Sequence, residues 1–289
     1  MKLSQLSQSK IHHILLFGPP KSGKTLLAGK LAEKFPIVVI DCEQGHNTLF
    51  QLPQEWHDRI EVISLPDTRG FPVAIETCLK LIKGGPVEIC EEHGKVSCSI
   101  CKRDGKPALS IALNNLPPDT IVVFDSLTQL TNSAIAHITK NQEPEYRMEF
   151  EDWANLGKLM DTFLSYVQQA PFSIVCISHE TEVEMVDGKN KIVPTAGSRN
   201  FSRNTAKYFD EVFYCEVKNK KHIVGSSTTY ANNILTGSRS GQVTETDTEA
   251  SLIPIFTGER KIVVAPTPAT NAVATLTAMQ KLAVLKKGT

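Results

Sequence analysis

The eight residues Gly18-Pro-Pro-Lys-Ser-Gly-Lys-Thr25 constrain this chain more than any others, because they fix a turn and its chemistry together. They satisfy G-x-x-x-x-G-K-[ST] at every fixed position. They also lie between an apolar run, IHHILLF (11–17), and a helix-period stretch that begins at Lys24. A strand, tight loop and helix in that order make a phosphate cradle. Gly18, Pro19, Pro20, Lys21, Ser22 and Gly23 form the loop, Gly23 lets the main chain approach phosphate oxygens, and successive N–H groups form an anion nest. Lys24 is expected to reach the β- and γ-phosphates of ATP, and the Thr25 hydroxyl to ligate Mg²⁺.

The rest of the pattern alternates strand and helix. Leu27, Leu31 and Phe35 place one apolar stripe on the first helix, which Pro36 stops; IVVID (37–41) is the next buried strand. RIEVIS (59–64) reads as a strand, and PVAIETCLKLIK (72–83) as a helix closed by Gly84-Gly85. DTIVVFDS (119–126) is an apolar strand. The helix DWANLGKLMDTFLSYVQQA puts Trp153, Leu156, Met160, Phe163, Leu164 and Val167 on one face, and FSIVCISH (172–179) is a further buried strand. Apolar strands separated by helices predict a mainly parallel sheet covered on both faces. After residue 180 short strands and turn signals (DGKN, KNKK, GSRSG) predict an antiparallel extension. The expected organisation is an α/β core over 1–265 interrupted by an insertion at 84–107, then a linker (266–271) and a short helix or disordered tail carrying Leu276, Met279, Leu282 and Leu285.

Composition excludes some partners. Thirty-one basic and thirty-one acidic residues cancel, so a polyanion site must be a local patch. No run of eighteen apolar residues occurs and the N-terminal apolar run is short, so neither a spanning helix nor a signal peptide is expected and the reading is cytoplasmic, without a membrane partner. Seven cysteines, an odd number, favour a reducing compartment. Four possible ligands fall within twelve residues: Cys90-x2-His93-x4-Cys98-x2-Cys101. Two pairs at knuckle spacing can wrap one tetrahedral ion, and thiolates with an imidazole select Zn²⁺. The knuckle would touch either DNA or a neighbouring subunit. Cys42, Cys78, Cys176 and Cys215 lie in apolar contexts and read as buried packing.

Asp125, ending IVVFD, is the expected second magnesium partner, but Ser126 follows it where many AAA-type ATPases carry a water-activating glutamate. The best remaining base is Glu43 in IDCEQGHNT, at the end of the strand after the first helix; Asp41 is expected to support that loop. This arrangement resembles the RecA-like ATPases, in which a strand ending in Asp-x-Glu supplies the base. More narrowly, it resembles small phage-encoded proteins that are little more than a RecA core, some of them single-strand annealing proteins or recombinases. The likeness rests on GPPKSGKT, the acidic strand end, IVVFDS and ISHE, over roughly residues 11–240.

The resemblance implies a γ-phosphate sensor at Ser178 or His179, and two loops that reach single-stranded DNA. The matching stretches are 137–150, with Lys140, Tyr146, Arg147 and Phe150, and 181–203, with Lys189, Lys191, Arg199, Phe201 and Arg203. It further implies a homo-oligomer, ring or filament, whose sites are completed in trans, with Arg239, Lys218 and Lys220 as candidates. A single-strand-binding or replication protein is a possible partner. The alternatives are a loader or assembly factor that binds a protein, and a P-loop small-molecule kinase.

Overall fold

The structure is a computed structural model, and it describes residues 11–259 apart from 69, 144, 186–187, 226–232 and 240–250. The expected linker and tail helix at 266–289 lie outside the described residues. The elements in chain order are β1 (His13–Gly18), α1 (Lys24–Gly29), β2 (Ile37–Asp41), β3 (Ile60–Ser64), α2 (Ala74–Lys83), β4 (Val87–Cys90), α3 (Ser99–Arg103), β5 (Ala108–Ile111), β6 (Ile121–Asp125), α4 (Leu127–Thr139), α5 (Phe150–Gln169), β7 (Ser173–Glu184), β8 (Asn190–Pro194), α6 (Arg199–Ser202), β9 (Glu211–Lys218), β10 (Lys221–Gly225), β11 (Gly237–Ser238) and α7 (Ile253–Thr257).

Six strands run parallel in the spatial order β3-β2-β6-β7-β1-β9. Their side chains alternate between two apolar layers. Leu15 and Phe17, Val38 and Ile40, Val122 and Phe124, and Ile174 and Cys176 face α2, α4 and α5. Ile14 and Leu16, Ile37 and Val39, Ile121 and Val123, and Val175 and Ile177 face α1 and α7. Burial on both faces explains why these strands read as unbroken apolar runs. Phe124 meets Phe163 of α5 edge-on, with ring centroids 5.1 Å apart, a geometry that adds about 1 kcal/mol to the burial itself.

Three expectations are corrected. The segment after residue 180 is not simply an antiparallel extension: β9 lies parallel to β1, pairing from Ile14↔Glu211 to Phe17↔Tyr214. Its Val212-Phe213-Tyr214-Cys215 run is buried on both faces, as a parallel strand requires. The antiparallel additions are β10 and β11 on β9 and β8 on the outer half of β7. The loop expected at 137–150 starts only at the end of α4, whose last residue is Thr139; Ser126 caps this helix by accepting from Gln129 N, and Leu127, Leu130, Thr131 and Ala134 are buried at helical spacing. Trp153, expected in the core with the rest of its face, is 44% exposed, because it stands in the first turn of α5, at the outer end of the helix.

The insertion forms a two-stranded antiparallel sheet, β4 with β5, that carries α3. Cys42, Cys78, Cys176 and Cys215 are buried.

Candidate active site

The parallel strands bring their carboxyl ends to one edge, with Gly18 paired to His179 and Asp41 to Asp125. Ligand sites of open α/β sheets form in the crevice beyond such ends. Gly18 (φ +150°) runs so close to β9 that a Cβ there would lie 2.1 Å from the Cys215 carbonyl oxygen. Gly23 (φ +87°) opens α1, and a Cβ there would lie 2.6 Å from His222 Nδ1. The His222 ring donates to the Ser22 carbonyl oxygen (2.9 Å) and so fastens the loop to β10.

Lys24 is buried. Its ammonium donates to Gly18 O (3.0 Å), Pro19 O (2.7 Å) and Ser22 Oγ (3.3 Å), all neutral oxygens. Burial lowers its pKa, opposed by Cys215, Asp125, Glu43 and Glu180. A buried cation against neutral acceptors fits an anionic ligand.

Asp125 is 2% exposed. Its Oδ2 accepts from Thr25 Oγ1 (2.6 Å), while its Oδ1, buried, has no hydrogen-bond partner. Burial pushes this carboxyl up to about 7, with the Thr25 hydrogen bond and Lys24 opposing and Glu43 and Asp41 adding to the rise. An orphaned buried carboxylate oxygen beside a hydroxyl fits a hard divalent cation, which would supply the missing charge.

Asp41, 1% exposed, organises the loop that follows β2. Its Oδ1 accepts from Glu43 N (3.1 Å) and Gly45 N (3.0 Å); its Oδ2 accepts from His46 N (3.1 Å) and meets His46 Nδ1 at 2.7 Å. Cys42 N donates to Asp125 O (2.7 Å), stitching this loop to β6. Glu43 is thereby turned across the edge: Oε1 accepts from Ser126 Oγ, and Oε2 lies 3.7 Å from His179 Nε2. Of the two sensor candidates, Ser178 is fully buried and its hydroxyl lies 2.8 Å from both the His179 and the Thr195 carbonyl oxygens, so it faces the protein. His179 faces Glu43, its backbone N–H held by Thr128 Oγ1 at 2.8 Å.

Four contacts at the site lie outside the sequence expectations. Ser126 positions Glu43, Thr128 positions His179, Glu180 raises the Lys24 pKa while accepting from Tyr214 Oη (2.7 Å), and His222 latches the loop. Glu180 follows ISH directly, inside β7, and an acid within an apolar strand run is visible in the sequence. His222 reaches the loop only through tertiary structure, so nothing near it in the sequence points there.

The other candidates are dispersed. Lys140 and Arg147 are exposed on the α4–α5 connection, and Phe150 is 90% exposed at the start of α5. Tyr146 is engaged, donating to Asp152 of the α5 capping box. The second stretch is a hairpin and short helix rather than a loop: Lys189 and Lys191 lie on the β7–β8 hairpin and Arg199 opens α6. Phe201 stacks on Tyr208, and Arg203 donates to Glu184 O and Asn200 Oδ1, so both are held by their own chain. Lys218 ends β9 and Lys220 lies in the β9–β10 turn, where Asn219 and Lys220 have φ of 51° and 63°, a two-residue hairpin geometry. Arg239 pairs with Asp210 Oδ1 (3.4 Å) and donates to Lys207 O; these contacts within its own chain run against a role in a neighbour's site. The ligand atoms of Cys90, His93, Cys98 and Cys101 lie within 4.8 Å of one another on the β4–β5 unit. Among the described residues no helix is long and apolar enough to cross a membrane.

A search of curated proteins finds no match. Among 218 solved chains that match is an ATPase from the type III secretion system of pathogenic bacteria, 14% identical, with a TM-score of 0.38 over 70% of this chain. This chain spans 51% of that one. The family model described as AAA domain matches residues 12–272. With that match covering most of its length and a phosphate loop in place, the chain belongs to the AAA domain family of P-loop ATPases.

Proposed function

We propose that this protein is a RecA-like, Mg²⁺-dependent ATPase whose nucleotide cycle orders copies of it on single-stranded DNA, in phage recombination or replication by annealing or strand exchange. The observation that carries the reading is Glu43, held by Ser126 and facing His179. Ser126 occupies the position where AAA-type enzymes carry their glutamate, and its hydroxyl instead grips the carboxylate that β2 delivers.

The residues divide the work. The loop amides and Lys24 would bind phosphate, and Thr25 and Asp125 would hold the metal. Magnesium, when bound, neutralises charge on the phosphate oxygens. Glu43 orients the attacking water and takes its proton as the water oxygen attacks the γ-phosphorus and ADP departs. His179 Nε2, 3.7 Å from Glu43 Oε2, is placed to read whether a γ-phosphate is present. The DNA reading is supported by exposed Lys140, Arg147 and Arg199 together with Phe150 and Trp153, a mixture of cations and aromatic rings suited to a single strand.

The test pairs two assays on the purified chain. Glu43→Gln is expected to bind ATP with Mg²⁺ and fail to hydrolyse it. Anisotropy of an unstructured oligonucleotide, titrated with salt and with or without ATP, is expected to show salt-sensitive binding. Absence of that binding beside intact ATPase activity would favour a loader that acts on a protein.

A further inference from the structure

The β4–β5 unit carries chemistry that ATP hydrolysis does not use. Cys90 ends β4, His93 and Cys98 lie in the connection, and Cys101 is in α3. His93 Nδ1 stands 3.8 Å from Cys90 Sγ, 3.7 Å from Cys98 Sγ and 3.1 Å from Cys101 Sγ. A tetrahedral ion with Zn–S near 2.3 Å and Zn–N near 2.0 Å separates such ligand atoms by about 3.5 Å. The three thiols are buried and unbridged. They form a small cluster of their own, apart from the two layers of the main core.

The knuckle is fixed to the core on its inner side. Gly94 O accepts from Thr77 Oγ1 of α2 (2.9 Å). The His93 ring meets Phe71 edge-on at 5.7 Å, and Lys95 Nζ sits over the Phe71 ring, 5.0 Å from its centroid. Phe71 belongs to the 65–71 segment, in which Asp67 caps α2 through the Val73 and Ala74 N–H groups. The orientation of one imidazole therefore bears on the entry to α2.

We propose that Cys90, His93, Cys98 and Cys101 hold one zinc ion in a closed structural site, which pins the knuckle and, through His93 and Phe71, the 65–71 segment onto α2. All four positions are filled by side chains, so no open coordination site is left for catalysis. Thiolates with one imidazole exclude magnesium and calcium, and the tight spacing suits one ion rather than a cluster.

The experiment uses the full chain, purified without chelator. Elemental analysis is expected to give one zinc per chain, and the cobalt(II)-substituted protein the absorption of a tetrahedral thiolate site. Cys98→Ser with Cys101→Ser should lose the ion and speed hydrogen exchange across 65–71 and 90–101 while the phosphate-loop peptides stay unchanged. His93→Cys should keep the ion and shift the cobalt spectrum toward four-sulfur coordination; should the double variant fail to fold, this variant and the metal count decide. Zinc far below one equivalent, iron in its place, octahedral cobalt, or zinc retained by a folded double variant would overturn the proposal. None of these readings depends on ATP turnover.

Discussion

The crevice at the strand ends and the knuckle on the β4–β5 unit both gather cation ligands, yet they are built in opposite ways. The crevice draws on residues as far apart as Thr25, Glu43, Asp125 and His179, and it leaves Asp125 Oδ1 without a partner. The knuckle draws on twelve consecutive residues whose ligand atoms close on one another within 4.8 Å. A site that must release its ligand is assembled by the tertiary fold and left electrostatically unfinished. A site that keeps its ligand can be local and complete.

The sharpest test of that contrast is Glu43→Gln. Phosphate release should fall roughly 10²–10⁴-fold, while a fluorescent nucleotide titration with Mg²⁺ shows affinity within about threefold of the parent. An unchanged rate would move the base elsewhere and dissolve the functional half of the comparison.

Asp125→Asn probes the unfinished side through stability. The folded carboxyl titrates near 7 against an ordinary value of 3.8, so between those values the folded state holds a proton the unfolded chain has released. Stability of the nucleotide-free protein is then lost as pH rises from about 4 to about 7 and is level above that. Urea unfolding should find the variant more stable than the parent by on the order of 4 kcal/mol at pH 8, at ~1.4 kcal/mol per unit, with the gap closing near pH 4. An equal gap at both values would show that the carboxyl is not strained by burial.

Removing two knuckle ligands probes the complete side. Cys98→Ser with Cys101→Ser should cost about 2 kcal/mol, a fall of roughly 4–8 °C in melting temperature for a domain of this size, with nucleotide affinity unchanged. Loss of nucleotide binding in a folded variant would mean the two sites are coupled.

The smallest effects separate packing from recognition. Arg203→Ala should cost about 1 kcal/mol in urea unfolding, because it releases Glu184 O and Asn200 from the hairpin. Arg147→Ala, at an exposed position, should leave stability alone and reduce the salt slope of oligonucleotide binding by about 0.7. The reverse pattern would exchange their roles.

What was legible in the sequence follows the same division. The phosphate loop, the apolar strands with their terminal acids and the Cys-His spacing are local patterns imposed by local physics, and each is visible within a dozen residues. β9 was misread because a two-faced buried strand of four apolar residues, Val212-Phe213-Tyr214-Cys215, looks like any short strand until its neighbour is known. α4 was passed over because Thr and Asn interrupt its apolar stripe, although Thr131 is buried with its hydroxyl returned to Leu127 O. The grip of Ser126 on Glu43 and of His222 on the phosphate loop joins residues 83 and 200 positions apart, and no periodicity encodes such pairs. Arg203 and Arg239 illustrate the converse, since a basic residue in a plausible segment carries no mark of whether its guanidinium is spoken for.

The missing side chain at Gly18 has a mechanical corollary. With the Cys215 carbonyl where a methyl group would be, the first residue of the cradle and the outermost parallel strand abut with no slack. The cradle's rim cannot yield on that side unless β9 lifts from β1 and carries β10, with its His222 latch, along with it. Tightening around a bound anion is therefore borne by the whole β9–β10 ribbon as one stiff plate, out to the turn at Asn219-Lys220.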